Sequence, residues 1–138
     1  MCLFCLLVLS CLLSTSCFCS VNLAIITNSK GEKAWWLLTF PRIYQIHEIR
    51  VYSRYGILSA AQLIDGVTVW TGISLTGGSF EGAVKVGTIQ YDEGRLMYIF
   101  SDLELEGSSV QLRAAGTNQL QMSEVEVHAP LRGWSHIS

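Results

Sequence analysis

The chain has 138 residues, a formal net charge of −2 and no block of basic residues, which excludes a nucleic-acid surface built to neutralise phosphates. Half of the residues are apolar, but 15 of them crowd into the first 20 positions, where no charge occurs; the rest of the chain has an ordinary, rather charge-poor globular composition. That length suits one domain rather than two, and twelve glycines with only two prolines exclude a collagen-like or disordered chain.

Residues 3–13 form an apolar run broken only by Ser10. This is the length of a signal-peptide core and falls short of the roughly 20 residues of a bilayer-spanning helix. Small residues from Ser16 to Ser20 offer cleavage sites. Residues 1–20 therefore read as a signal peptide, 21–130 as the domain and 131–138 as a tail without strand pattern. The positive charge usual at the start of a leader is missing, which leaves a signal anchor as the rival reading. The mature protein is expected to be secreted, in the extracellular space. All five cysteines lie within the first 19 residues, so the domain can form neither an internal disulfide nor a thiol site.

Beyond residue 34 the apolar pattern has period 2. Two adjacent indoles, Trp35 and Trp36, must face opposite sides of a strand, one toward the core and the other packed or open to a ligand. Pro41 is expected to separate the run Ala34–Phe40 from a strand beginning at Ile43. Ile49, Val51 and Ser53 then alternate with Arg50, Tyr52 and Arg54. Val67 and Val69 alternate with Thr68 and Trp70, Val84 and Val86 flank Lys85, Val110 and Leu112 flank Gln111, and Val125 and Val127 sit among Glu124, Glu126 and His128. Each run reads as a half-buried strand with one apolar and one wet face. Turns are clearest at Thr76–Ser79 and Asp92–Gly94. The fold class is all-β, an antiparallel β-sandwich.

The three histidines are scattered, and no serine lies in a Gly-x-Ser-x-Gly setting, so no catalytic constellation emerges and a non-enzymatic role is expected. Arg50, Tyr52 and Arg54 share one strand face. Arg50 is expected to pair with Glu48. Arg54, at the strand end beside a loop, is the better ligand donor, because binding loops cluster at the ends of sandwiches.

Three segments together resemble a known family. Trp35-Trp36 leading into Ile49-Arg50-Val51-Tyr52-Ser53-Arg54, then Gln62-Leu63-Ile64-Asp65-Gly66-Val67, then Leu120-Gln121-Met122-Ser123-Glu124-Val125-Glu126-Val127 resemble the core of F-type lectins (fucolectins) and the related F5/8 type C (discoidin) domains. Asn22-Leu23-Ala24 is similar to the opening of such domains. The resemblance implies an eight-stranded jelly roll of the galactose-binding-domain-like class. It also implies recognition without catalysis: of fucose-containing glycans in the lectins, and of phospholipid or cell-surface protein in the discoidin branch, with roles in innate immunity or adhesion and a homo-oligomer as one way to gain avidity.

The departures are specific. Only Ile25–Lys33 fills the stretch that in the family supplies the first strands, most calcium ligands and the sugar-site histidine. Arg54 matches the first sugar-binding arginine; the second falls at Ala61 or Gln62. One of the family's three sugar ligands, Arg54, is thus matched; the candidate ligand residues are Arg54 and Gln62, with an exposed ring, Trp36 or Tyr52, to stack on the sugar. Ser123 and Glu124 match two calcium-ligand positions, with Asn28 as a substitute for another, and calcium binding is expected to be weak or absent. The shortened first strands are expected to leave a bare sheet edge.

Overall fold

The computed structural model describes residues 16–26, 34–54, 56, 58–116 and 118–130. Their strands are β1 (Ser16–Ile26), β2 (Trp35–Ile46), β3 (Glu48–Tyr52), β4 (Thr68–Gly72), β5 (Val84–Thr88), β6 (Met97–Phe100), β7 (Leu105–Arg113) and β8 (Gln121–Pro130). They form two four-stranded sheets, ordered β1-β8-β3-β6 and β2-β7-β4-β5, and every neighbouring pair is antiparallel. The alternating apolar runs make this the β-sandwich that the sequence predicts. A short helical segment, Leu58–Ile64, which the period-2 pattern does not signal, links β3 to β4.

The inner faces carry the alternating residues. Ile49 and Val51 of β3 and Val125 and Val127 of β8 share one buried cluster with Trp36 and Leu38 of β2, Val69 of β4, and Val110 and Leu112 of β7. Full burial of each such side chain contributes about 1.5–3 kcal/mol before conformational entropy is set against it. Val84 and Val86 depart from the expectation. Val84 is exposed and Val86 only half-buried, because β5 is an edge strand whose register against β4 shifts between Val69 and Trp70.

Pro41 does not end a strand. β2 runs through it, and its pairing with β7 jumps from Thr39–Ser109 to Tyr44–Gly107, so the residues between loop out as a bulge. A proline has no N–H to give a ladder, and a bulge requires none.

The strand β1 also differs from the sequence reading. It lies along β8 from Ser16 opposite Pro130 to Ile26 opposite Gln121, so the edge expected to be bare is covered. Residues 16–20, assigned above to a leader, are strand here. The remainder of that leader, Asn28 and the tail 131–138 lie outside the described residues.

The outer face of the second sheet is not wet. The loop between β4 and β5 folds across it and is laced to β7. The N–H of Ser74 donates to Ser108 Oγ at 2.8 Å, and Gln111 binds both Gly78 and Ser79. Trp35 lies beneath Gly77 and Gly78, where any Cβ at Gly77 would collide with the indole ring. Phe80 covers Trp70, with ring centroids 4.7 Å apart, and the Arg113 guanidinium sits 4.7 Å from the centroid of the Phe80 ring.

Candidate functional site

The first sheet ends, past Tyr52, in a cluster of loops. Here an open depression of about 220 Å³ is lined by Ser53, Arg54, Gly56, Leu58 and Ala61 from the β3 end and helical segment, and by Tyr91, Gly94, Arg95 and Leu96 from the loop between β5 and β6.

Ser53 joins the two sides. Its N–H donates to the Leu96 carbonyl at 2.9 Å, and its hydroxyl lies 3.3 Å from the Arg95 carbonyl and 3.4 Å from that of Leu96. The Ser53 carbonyl in turn accepts from Ser123 Oγ at 3.0 Å. Ser53 is 2% exposed, so these bonds are shielded from water. Arg54 follows directly and donates from Nη1 to Gln121 Oε1 at 3.1 Å; the Gln121 amide nitrogen donates onward to Gln119 Oε1 at 2.8 Å, which fixes the amide with its oxygen toward the arginine.

The opposite loop is held as firmly. The Tyr91 N–H donates to Asp65 Oδ1 at 2.8 Å, and the Asp92 N–H to Tyr98 Oη at 3.1 Å. The Arg95 N–H closes a turn on the Asp92 carbonyl at 3.0 Å, with Gly94 at φ +83°, a left-handed conformation that glycine adopts without strain. The Arg95 guanidinium lies 5.7 Å from the centroid of the Tyr98 ring. Burial, and then the nearby Glu93, Tyr98 and Asp92, raise the Tyr91 phenol above its ordinary pKa.

Of the residues nominated from sequence, Arg54 lines the depression. Gln62 is exposed on the helical segment, and its neighbour Ala61 lines the site instead. Trp36 requires correction. It is the core-facing indole of the pair, 8% exposed, and cannot stack on a ligand. Its partner Trp35 is covered by the Gly77–Gly78 turn, so neither forms an open platform.

Tyr52 is also displaced from the site. It stands on the outer face of the first sheet opposite Glu124, beside Arg50, and does not line the depression. Arg50 pairs with Glu48 at 2.6 Å as expected, and Glu126 joins at 3.7 Å. The Glu48 hydrogen bond raises the Arg50 pKa, while burial, followed by the charge on Glu126, raises that of Tyr52.

Ser123 and Glu124 sit on β8. The Ser123 hydroxyl serves the backbone carbonyls at the end of β3, and no group of three or more His, Cys, Asp or Glu side chains converges among the described residues.

Sequence reasoning missed Tyr91 and Arg95. The signal was present: Arg95 immediately follows the Asp92–Gly94 turn, and turns at a sandwich end are where ligand residues gather.

The two sheets and their strand order define a galactose-binding-like β-sandwich, and solved structures agree. An F-type lectin (fucolectin) from the serum of the striped bass, Morone saxatilis, matches with a TM-score of 0.61 at 16% identity, over 83% of this chain and 36% of that one. A fucose-binding module of Streptococcus pneumoniae matches at 0.53 and 15% identity, over 80% and 70% of the two chains. An F5/8 type C domain of a Bacteroides fragilis protein matches at 0.57 and 11% identity, over 79% and 74%. The likeness to F-type lectins and F5/8 type C domains read from the sequence is thus a likeness of fold. The chain spans 36% of the length of the bass lectin. No protein-family model and no curated protein matches the sequence.

Proposed function

We propose that this chain is a secreted, non-catalytic carbohydrate-recognition module of the F-type-lectin kind, which binds glycans at its loop-end depression. The observation that carries this reading is the position of Arg54. The arginine that the resemblance nominates as a sugar ligand lines the depression, oriented by Gln121. Arg95 adds a second set of donors from the facing loop, and Tyr91 offers a ring for the apolar face of a sugar. One net hydrogen bond contributes about 1 kcal/mol, so a site with so few ligands binds a monovalent sugar at about millimolar Kd and needs oligomer avidity for more. A glycan array probed with the exported protein and with an Arg54→Ala variant tests this. Signal that disappears in the variant supports it; silence on every glycan overturns it.

A second reading has its own observation. Leu58 and Leu96 are each 54% exposed on the rim of the depression, beside the two arginines. Apolar tips flanked by cations suit an anionic membrane surface. Vesicles of anionic phospholipid, run beside the array, separate the two. Export itself is read from the leader. Cleavage at or before Ser16 keeps β1 whole, and N-terminal sequencing of secreted material checks the position.

A further inference from the structure

We propose that the depression takes a carboxylate-bearing sugar, a sialic or uronic acid residue, in preference to a neutral fucose; this rests on reading the depression as a sugar site. The described lining side chains are richer in hydrogen-bond donors than in acceptors. Guanidinium groups donate and cannot accept. Among the lining side chains, Arg54 and Arg95 are donors only, and the Ser53 hydroxyl is directed to the Arg95 and Leu96 carbonyls. Tyr91 contributes the other hydroxyl. No Asp, Glu, Asn or Gln is among the described lining residues. The hydroxyls of a neutral sugar each carry a hydrogen that seeks an acceptor, and among the described lining side chains only hydroxyls can accept one. A carboxylate only accepts, and its two oxygens match the fork of an arginine.

Arg50 forms ion pairs with Glu48 and Glu126, and Glu126 also meets His128. Arg50 and Arg54 lie on one strand face, four residues apart, yet they are treated differently. Arg50 has two carboxylates, whereas Arg54 rests on the neutral amide of Gln121. Arg95 lies against an aromatic ring. Two positive charges thus line one depression, and among the described residues neither has a carboxylate in an ion pair, although Glu93 and Asp92 lie near enough to act on Tyr91. Asp65 spends an oxygen on the Tyr91 N–H, and Asp92 and Glu93 are exposed on the turn and do not line the depression. Arg50 is tied to two carboxylates, whereas Arg54 and Arg95 have guanidinium donors to offer an anion.

The test uses the whole secreted protein on an array of sialylated and uronic-acid oligosaccharides. Each is printed beside its carboxyl methyl ester, with neutral fucosylated glycans and phosphatidylserine vesicles in parallel. Binding to the acid forms is expected to fall about tenfold on esterification, and about tenfold again in Arg54→Gln or Arg95→Gln, since a charge-assisted hydrogen bond is worth roughly that factor or more. Circular dichroism of the variants confirms that they fold. Arg42→Gln, which removes an exposed cation from the β2 bulge, is expected to bind as the parent does. Neutral fucosylated glycans bound as well as acidic ones, with no effect of esterification, would overturn the carboxylate preference and leave the lectin reading standing. Silence on every glycan, with or without vesicle binding, overturns both.

Discussion

Gln111 grips Ser79: its amide nitrogen donates to the Ser79 carbonyl at 2.8 Å, while its oxygen accepts from the N–H of Gly78 at 2.9 Å. A fully buried glutamine on the outer face of a strand thereby replaces the two backbone partners that the crossing loop lacks. Gln111→Leu keeps the volume and removes both bonds, leaving the Gly78 N–H and the Ser79 carbonyl without their side-chain partner. The expected cost is about 2 kcal/mol, which lowers Tm by about 8 °C. Thermal melts of parent and variant check it, and an unchanged Tm would show that the loop is held by Trp35 and Phe80 instead.

Trp36 belongs to the core, so its replacement should cost stability in full. Trp36→Ala is expected to lose about 3–5 kcal/mol in urea unfolding. Trp36→Phe should lose less, and at a temperature where it is folded its glycan binding should equal that of the parent. A selective loss of binding by Trp36→Phe, with stability intact, would return the indole to the site.

Much of the fold is legible in the sequence because a strand with one buried face must alternate. Ile49 and Val51, or Val110 and Leu112, have no other way to meet the opposite sheet. What alternation cannot reveal is what covers the other face. Gln111 reads as a wet position, and only the return of a loop from residues 73–83 buries it. The strand β1 is hidden for a different reason: its first residues, Ser16–Ser20, follow an apolar run and read as the small-residue cleavage region of a leader. Within the site, Arg54 can be found because it ends a patterned strand. Arg95 reaches the same depression from a loop some forty residues away, and the stitch that brings it there, Ser53 to the Arg95 and Leu96 carbonyls, involves a serine that sequence reading assigns only to the core side.

Alkaline pH should weaken the fold through Tyr52. Its folded-state pKa is raised, chiefly by burial and then by Glu126, so the native state holds the phenolic proton more tightly than the unfolded chain does. Stability from this source is complete below the ordinary tyrosine value of about 10 and is lost as the pH rises through the higher folded value. Urea midpoints at pH 8 and pH 11 should therefore diverge less in Tyr52→Phe than in the parent. An equal fall in both proteins would assign the alkaline loss to other groups, Tyr91 among them.

Calcium should bind weakly. Ser123 directs its hydroxyl to the Tyr52 and Ser53 carbonyls, and Glu124 stands in a ladder with Tyr52 and Asn22, with no cluster of further carboxylates among the described residues. A Kd of about 1 mM gives 1 mM calcium only about 0.4 kcal/mol of stabilisation. Melts with calcium and with a chelator should then agree within about 2 °C. Micromolar affinity with a large rise in Tm would contradict this.

The Arg54–Gln121 contact allows the charge of the site to be changed without changing its shape. Gln121→Glu places a carboxylate where the amide oxygen now accepts from Arg54 at 3.1 Å. At 9% exposure that carboxylate is largely removed from water, and it is tolerable there only if it pairs with the guanidinium. The pairing compensates the charge that a bound anion would otherwise meet, and it draws Nη1 further from the ligand. Binding of a carboxylate-bearing glycan should fall about tenfold, and binding of a neutral one much less. Raising the salt from 0.05 to 0.5 M should weaken the parent's binding to acidic glycans and scarcely affect the variant's, because screening acts on the charge that the substitution has already cancelled. Calorimetric titrations of both proteins at the two salt concentrations measure this. Equal salt dependence in parent and variant would mean that Arg54 does not carry the charge seen by the ligand.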